Sequence, residues 1–253
     1  MIQTYRIADK NIEIRSVYDE VHEYCRDYLS DGNPDFFVET TKEDIDYERV
    51  WSLRSAAADG RAPQNSSDSG LEELAVYRKI AEKMPEYNTF LFHGSALSVN
   101  GEGILFAAPS GTGKSTHAAL WRKAFGDEVV MVNDDKPLIR VEEEVTVFGT
   151  PYNGKHRLGL NISVPLKALG IIERSPKNSV QKVTKEEIKV LYPRLLQQMY
   201  RPTDPVMLSA SIELLDRMLS IVPVYRIFCK MEPEAAIVCR EETKVGNGTK
   251  NVE

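Results

Sequence analysis

Cysteine is scarce in this chain: Cys25, Cys229 and Cys239 are the only three in 253 residues. They are odd in number and widely spaced, with neither C-x-x-C nor a paired histidine at zinc spacing. That excludes a disulfide framework and leaves reduced, mostly buried thiols as the expectation. Uninterrupted apolar runs of membrane-spanning length are missing as well. The opening residues MIQTYRIADKN lack the apolar stretch of a secretory signal. A cytoplasmic protein without a membrane partner is therefore expected. Basic clusters are also absent: 32 Lys and Arg stand against 38 Asp and Glu, for a net charge of −6. Nucleic acid is thereby disfavoured as a partner, because neutralising a phosphate backbone takes clustered positive charge. Histidine is rare, and His22, beside Glu23 on a predicted helix, has no second ligand or base at useful spacing. It is read as a surface residue without a role.

The length suits one large domain or a compact domain with an appendage. Residues 1–88 read as an α+β region, with two strands about a turn at Ala8 to Asn11, a helix over Val17 to Leu29 and a strand at Phe36 to Val38. Residues 58–70, ADGRAPQNSSDSG, are small and polar, and are expected to form a flexible loop. Apolar residues at helical spacing then resume over Leu71 to Met84. Residues 89–240 read as a nucleotide-binding core. Residues 241–253, EETKVGNGTKNVE, lack a burial pattern and are expected to fray.

The core is organised around GILFAAPSGTGKSTHAAL, Gly103 to Leu120. An apolar strand runs into a glycine-bearing turn and then into a helix, the order that converges backbone N–H groups and a helix N-terminus on an anion. The spacing fits the phosphate-loop pattern G-x-x-x-x-G-K-[ST] except that Ala108 replaces its first glycine. Ser110, Gly111, Thr112, Gly113, Lys114, Ser115 and Thr116 are the candidate nucleotide-binding residues. Lys114 is expected to face solvent and meet phosphate charge, and Ser115 to ligate magnesium. Asn100-Gly101 between two strand-like runs predicts a hairpin over Thr89 to Phe106. Counting outward from a two-residue turn sets His93 opposite Ala108; a four-residue turn sets it opposite Ser110.

After the helix, Glu128 to Val132 read as a strand ending in Asn133-Asp134-Asp135. A strand–helix–strand crossover returns this end to the edge that carries the turn. One carboxylate can there hold magnesium while its neighbour accepts a proton from an attacking hydroxyl, as phosphoryl transfer requires. Simple turn chemistry is the competing reading of Asn-Asp-Asp before Lys-Pro. Farther on, GTPYNGKHR places Lys155, His156 and Arg157 in one polar loop. These residues are candidates for holding phosphate or an acidic group of the substrate, with a solvated loop as the alternative.

HGSALSVNGEGILFAAPSGTGKS followed by VVMVNDD resembles the catalytic domain of HPr kinase/phosphorylase and of related kinases acting on serine or peptide hydroxyls. The resemblance implies an α/β fold with a mixed sheet and a P-loop. It further implies an acid/base role for His93, phosphate contact for Lys114, magnesium ligation by Ser115 and Asp135, and a general-base role for Asp134. It is close over Phe92 to Asp135 and weak onward to about Arg240. Phosphoenolpyruvate carboxykinases share this core, but their oxaloacetate-binding machinery has no counterpart here. A further metal-side glutamate and the arginine-bearing segment of the phosphorylase reaction are also missing. ATP and Mg2+ are the implied cofactors, and a hydroxyl-bearing small molecule or peptide, serine-like, is the implied substrate. A carboxykinase-like lyase and a nucleotide-binding regulatory module without turnover are the competing functions. A homo-oligomer is compatible with the sequence.

Overall fold

The structure, a computed structural model, describes residues 1–58, 60, 62, 66–109, 111–154 and 157–247. It divides into two compact units, Met1–Lys83 and Met84–Glu253.

In the first unit β1 (Ile2–Ile7) and β2 (Lys10–Arg15) form an antiparallel hairpin in the register Ile7↔Lys10. Its turn residues Ala8 and Asp9 take left-handed φ values of 47° and 59°, the conformation a two-residue hairpin needs. Tyr5, Ile7, Ile12 and Ile14 alternate onto the buried face. β3 (Phe36–Glu39) adds parallel to β2, and the helices are α1 (Glu20–Cys25), α2 (Lys42–Ala58) and α3 (Asp68–Lys83). The helix expected from Val17 begins only at Glu20. The reason is Glu72 of α3, a fully buried carboxylate that accepts the Val17 amide at 2.6 Å and the Tyr18 amide at 2.8 Å. His22 is a correction: it is buried, with Nδ1 2.8 Å from the Tyr5 hydroxyl and Nε2 2.9 Å from Ser16 Oγ. Burial holds its pKa below the ordinary value.

Among the described residues the second unit is built on a nine-stranded mixed sheet. Its strands are β4 (Thr89–Leu91), β5 (Ser95–Val99), β6 (Glu102–Ala107), β7 (Val129–Asn133), β8 (Leu138–Val141), β9 (Val145–Phe148), β10 (Ser163–Arg174), β11 (Ser179–Lys182) and β12 (Val224–Cys229). The order runs β4-β8-β9-β10-β6-β5-β7, with β12 pairing β10 and β11 pairing β12. Twelve-residue β10 carries the curl of the sheet. Its start lies antiparallel to β9, its middle parallel to β6 and its end parallel to β12, with a register irregularity between Leu166 and Ala168. β5 is antiparallel to both β6 and β7, so β6, β7 and β10 run the same way. Their C-terminal ends, Ala107, Asn133 and Arg174, therefore share one edge.

Helices cover both faces: α4 (Lys114–Phe125) and α7 (Glu234–Thr243) on one, α5 (Lys185–Leu196) and α6 (Pro205–Ile221) on the other. The alternation along β6 divides the core accordingly. Ile104 and Phe106 pack with Trp121 of α4 and Cys239 of α7, while Leu105 and Ala107 pack with Leu195 of α5 and Leu215 of α6. Fully burying one such side chain contributes about 1.5–3 kcal/mol, so β6 is held firmly from both sides. Thr184 and Glu187 form a capping box at the start of α5, the S/T-x-x-E pattern that marks a helix N-terminus in a sequence.

Two further expectations are revised. Thr89 to Leu91 do not belong to the hairpin; they pair with β8 across the sheet, because Phe92 instead bridges to Met199 and the Gly94 amide donates to the Asp135 carbonyl at 3.0 Å. Glu241 to Thr243 are the last turn of α7, and Val245 beyond it is buried. The Gly246 amide donates to Glu102 at 2.7 Å and its carbonyl accepts from Asn100 at 3.0 Å. Residues 248–253 lie outside the described residues. Among the described residues no helix is long and apolar enough to cross a membrane.

Gly149 follows β9, where a Cβ would sit 1.8 Å from the Leu160 carbonyl oxygen and 2.8 Å from that of Val132. Both obstacles are backbone and cannot swing aside. Gly149→Ala is expected to destabilise the protein by about 2 kcal/mol or more, read as a lower urea midpoint with an unchanged slope; an unchanged midpoint would contradict the packing.

Candidate functional site

β6 leaves the core at Ala107 and enters a turn that closes when the His117 amide donates to the Gly113 carbonyl at 2.8 Å, the first bond of α4. The Thr112 amide donates to the Pro109 carbonyl at 3.2 Å. Gly111 and Gly113 have φ values of +75° and +121°. At Gly113 the positive φ disfavours any side chain, and a Cβ would also require the flexible end of Met231 to move aside. Ala108 is not among the residues with positive φ, which is why alanine serves at the first motif position. Ser110 lies outside the described residues; Ser115 and Thr116 are exposed on the first turn of α4.

Lys114 does not face solvent as expected. It is 8 % exposed, and its Nζ donates to the Ala108 carbonyl at 2.8 Å, back across the turn. Burial lowers its pKa, while the negative charges of Asp135 and Asp134 act in the opposite direction. The ammonium is thus held inside the turn, within electrostatic reach of both carboxylates.

Those carboxylates occupy different surroundings. Asp134 is 7 % exposed, and its Oδ1 accepts from the Ser95 hydroxyl at 3.0 Å. Asp135 is more open, with its Oδ1 3.3 Å from His93 Nε2 and its Oδ2 3.7 Å from Lys136 Nζ. Burial by itself would raise the Asp135 pKa, but the hydrogen bond from His93 and the charges of Lys136, His93 and Lys114 bring it below the usual value. The two-residue register of the hairpin is the one observed, Val99↔Glu102 through Ser95↔Phe106. Continued outward it sets His93 level with Ala108. The two positions share a donor as well: the Gln198 side-chain amide, with its NH2 turned toward the acceptors, donates to the His93 carbonyl at 3.2 Å and the Ala108 carbonyl at 3.1 Å.

Asn133, not singled out from the sequence, organises this corner. Its Oδ1 accepts the amides of Asp135 and Lys136 at 2.9 and 2.6 Å, and its Nδ2 donates to Thr150 Oγ1 at 3.0 Å. One buried side chain therefore sets the direction of the carboxylate pair and anchors the loop after β9. That loop passes Asp134 at Gly154, where a Cβ would lie 3.1 Å from Asp134 Oδ2. Of the three cationic candidates, Lys155 and His156 lie outside the described residues. Arg157 is exposed with a φ of 46°. The turn chemistry that the sequence offered as one reading of Asn-Asp-Asp is present at Asn133.

Among the described residues there is no cluster of three or more His, Cys, Asp or Glu side chains able to cage a metal. Magnesium does not need one, since it is held by one or two protein oxygens together with substrate phosphates and water. Ser115 and Asp135 supply hard oxygen donors of that kind.

No family model matches this chain, and no curated protein matches it. Among solved structures, it is similar to the Hpr(Ser) kinase/phosphatase from Coxiella burnetii. The match covers 62 % of this chain and 99 % of that one at 10 % identity and a TM-score of 0.34. A likeness this distant carries no argument about the site.

Beneath the turn His117 is fully buried, stacked edge-on against Phe106, with Nε2 accepting from Trp121 Nε1 at 3.2 Å and Nδ1 without a partner. Burial pushes its pKa down to about 4 from 6.5. A neutral buried histidine stabilises the fold fully above the unfolded value, and that contribution is lost as pH falls toward the folded one. Stability should drop by roughly 2 kcal/mol between pH 6.5 and pH 5 through this group alone. His117→Leu should show the smaller fall in urea midpoint over that interval; equal falls in both proteins would remove His117 as the cause.

Proposed function

We propose that this protein is an ATP- and magnesium-dependent kinase that transfers the γ-phosphoryl group to the hydroxyl of a small molecule or peptide, with a serine-like acceptor. The reading rests chiefly on one juxtaposition. A glycine turn with an inward-held Lys114 leaves the end of β6, while the Asp134–Asp135 pair leaves the end of parallel β7 at the same sheet edge. The amides at the start of α4 and the Lys114 ammonium bind the phosphate chain. Magnesium, when bound through Ser115 and Asp135, supplies charge neutralisation at the β- and γ-phosphates. Asp134, steadied by Ser95 and lying against Gly154, accepts the proton of the acceptor hydroxyl. The oxygen then bonds to the γ-phosphorus as the bond to the bridging oxygen breaks, and nucleoside diphosphate leaves. His93 holds Asp135 through its 3.3 Å contact. The loop through Lys155, His156 and Arg157 pairs a carboxylate next to the acceptor hydroxyl.

Asp134→Asn should retain nucleotide binding by calorimetry and lose about a hundredfold or more in turnover, as for a missing general base. Lost nucleotide or magnesium binding in this variant, with normal metal dependence in Asp135→Asn, would exchange the two roles.

The acceptor is tested by diphosphate release with serine, serine amide, a C-terminal seryl peptide and a folded HPr-like protein. Serine and the C-terminal peptide should be used, and the amide should be poor. Equal use of serine and its amide would remove the carboxylate pairing. Carbon dioxide release from oxaloacetate would favour a lyase, and binding without diphosphate a regulatory module.

A further inference from the structure

The edge that carries the candidate site continues past the glycine turn on the side away from the carboxylates. There a cleft of about 410 Å³ opens between the turn, the end of β10 and α5, lined by Pro109, Gly111, Thr112, Ile172, Arg174 and Arg194 around Glu173. That volume falls within the usual range for small-ligand sites.

Its charge is one-sided. The Arg226 guanidinium grips Glu173 through two bonds of 2.9 and 3.0 Å, and Arg194 approaches the same carboxylate only at 3.4 Å. Glu173 is thus shared by two guanidiniums, those of Arg226 and Arg194. Arg174 in turn is tied to the turn itself: Nε donates to the Thr112 carbonyl at 3.2 Å and Nη2 to the Gly111 carbonyl at 2.8 Å. Because a trans peptide points its C=O and N–H in opposite directions, these bonds hold the Gly111 and Thr112 carbonyls toward Arg174 and turn the Thr112 and Gly113 N–H groups away from it. The cleft adjoins the turn on its carbonyl side, and its lining carries two guanidiniums, Arg174 and Arg194, to the one carboxylate of Glu173.

We infer that this cleft is an anion subsite of the same site, taking the α-phosphate and the nucleoside end of the nucleotide, with Arg194 as its phosphate-facing cation. The inference rests on the kinase reading. The direction follows from the two flanks of β6. Asp134, Asp135 and the Gly154 loop lie on the β7 flank, where proton acceptance and the acceptor hydroxyl belong. The arginines lie on the β10 flank, which leaves that side for the other end of the phosphate chain. Arg194 is the residue to test, because Arg174 also bonds the turn.

Titration calorimetry with magnesium present should compare wild type, Arg194→Ala and Arg194→Gln against ATP and against inorganic pyrophosphate, which is short enough to occupy the turn alone. Loss of one charge-assisted bond should weaken ATP binding about tenfold in both variants and leave pyrophosphate within about twofold. Should the alanine variant melt early, the glutamine variant carries the comparison. Unchanged ATP affinity, an equal loss for both probes, or a raised KM for serine alone would each overturn the assignment, the last by giving the cleft to the acceptor's carboxylate. Wild type that binds neither probe would remove the kinase reading as a whole, whereas wild type that binds both with Arg194 indifferent would remove only the cleft.

Discussion

The Lys114 ammonium lies 2.8 Å from the Ala108 carbonyl inside a turn whose strand is packed from both faces. Keeping a positive charge there costs desolvation free energy, and the depressed pKa of Lys114 records that cost. Two nearby carboxylates offset part of it, so the turn and the carboxylate pair are coupled electrostatically before any ligand arrives. Anything that moves Asp135 alters how firmly Lys114 keeps its proton. An anion seated on the turn would relieve the same desolvation more directly, a physical reason for such a site to favour a phosphate chain over a neutral group.

Preorganisation in this region comes from a few side chains that bond to backbone rather than to one another. Asn133 fixes the amides of Asp135 and Lys136 while reaching Thr150. Gln198 ties His93 and Ala108 through their carbonyls, and Arg174 ties Gly111 and Thr112 through theirs. Each removes freedom from a loop that has little apolar surface of its own. The outcome is an edge with the Asp134–Asp135 pair beyond β5 and the Arg174 and Arg194 guanidiniums at the end of β10.

Much of the second unit was legible in the sequence because it rests on local signals. The apolar run Gly103–Phe106 before a glycine turn, the Asn100-Gly101 turn and the Thr184/Glu187 capping box each encode their geometry within a few residues, and the structure contains all three. The first unit was less readable. α2 is too evenly polar to show a face, and the start of α1 is decided by Glu72, more than fifty positions away in sequence. His22 looked exposed because a short helix cannot reveal which side its neighbours will cover.

By itself, then, the sequence determined that an α/β core carries a glycine turn followed by Lys114 and Ser115, and that Asp134 and Asp135 end the next strand but one in the chain-wise path from β5. These are consequences of spacing, periodicity and the conformational demands of glycine, which act over short stretches of chain. Only the tertiary structure decided that Lys114 is buried, that Asp134 meets Ser95 while Asp135 meets His93, and that Arg174 and Arg194 stand across the turn from them. Those pairings join residues from different strands and helices, and they depend on the curl of β10, whose partners change from β9 to β6 to β12 along twelve residues. No local pattern encodes such a path, because it is set by the packing of helices on both faces of the completed sheet.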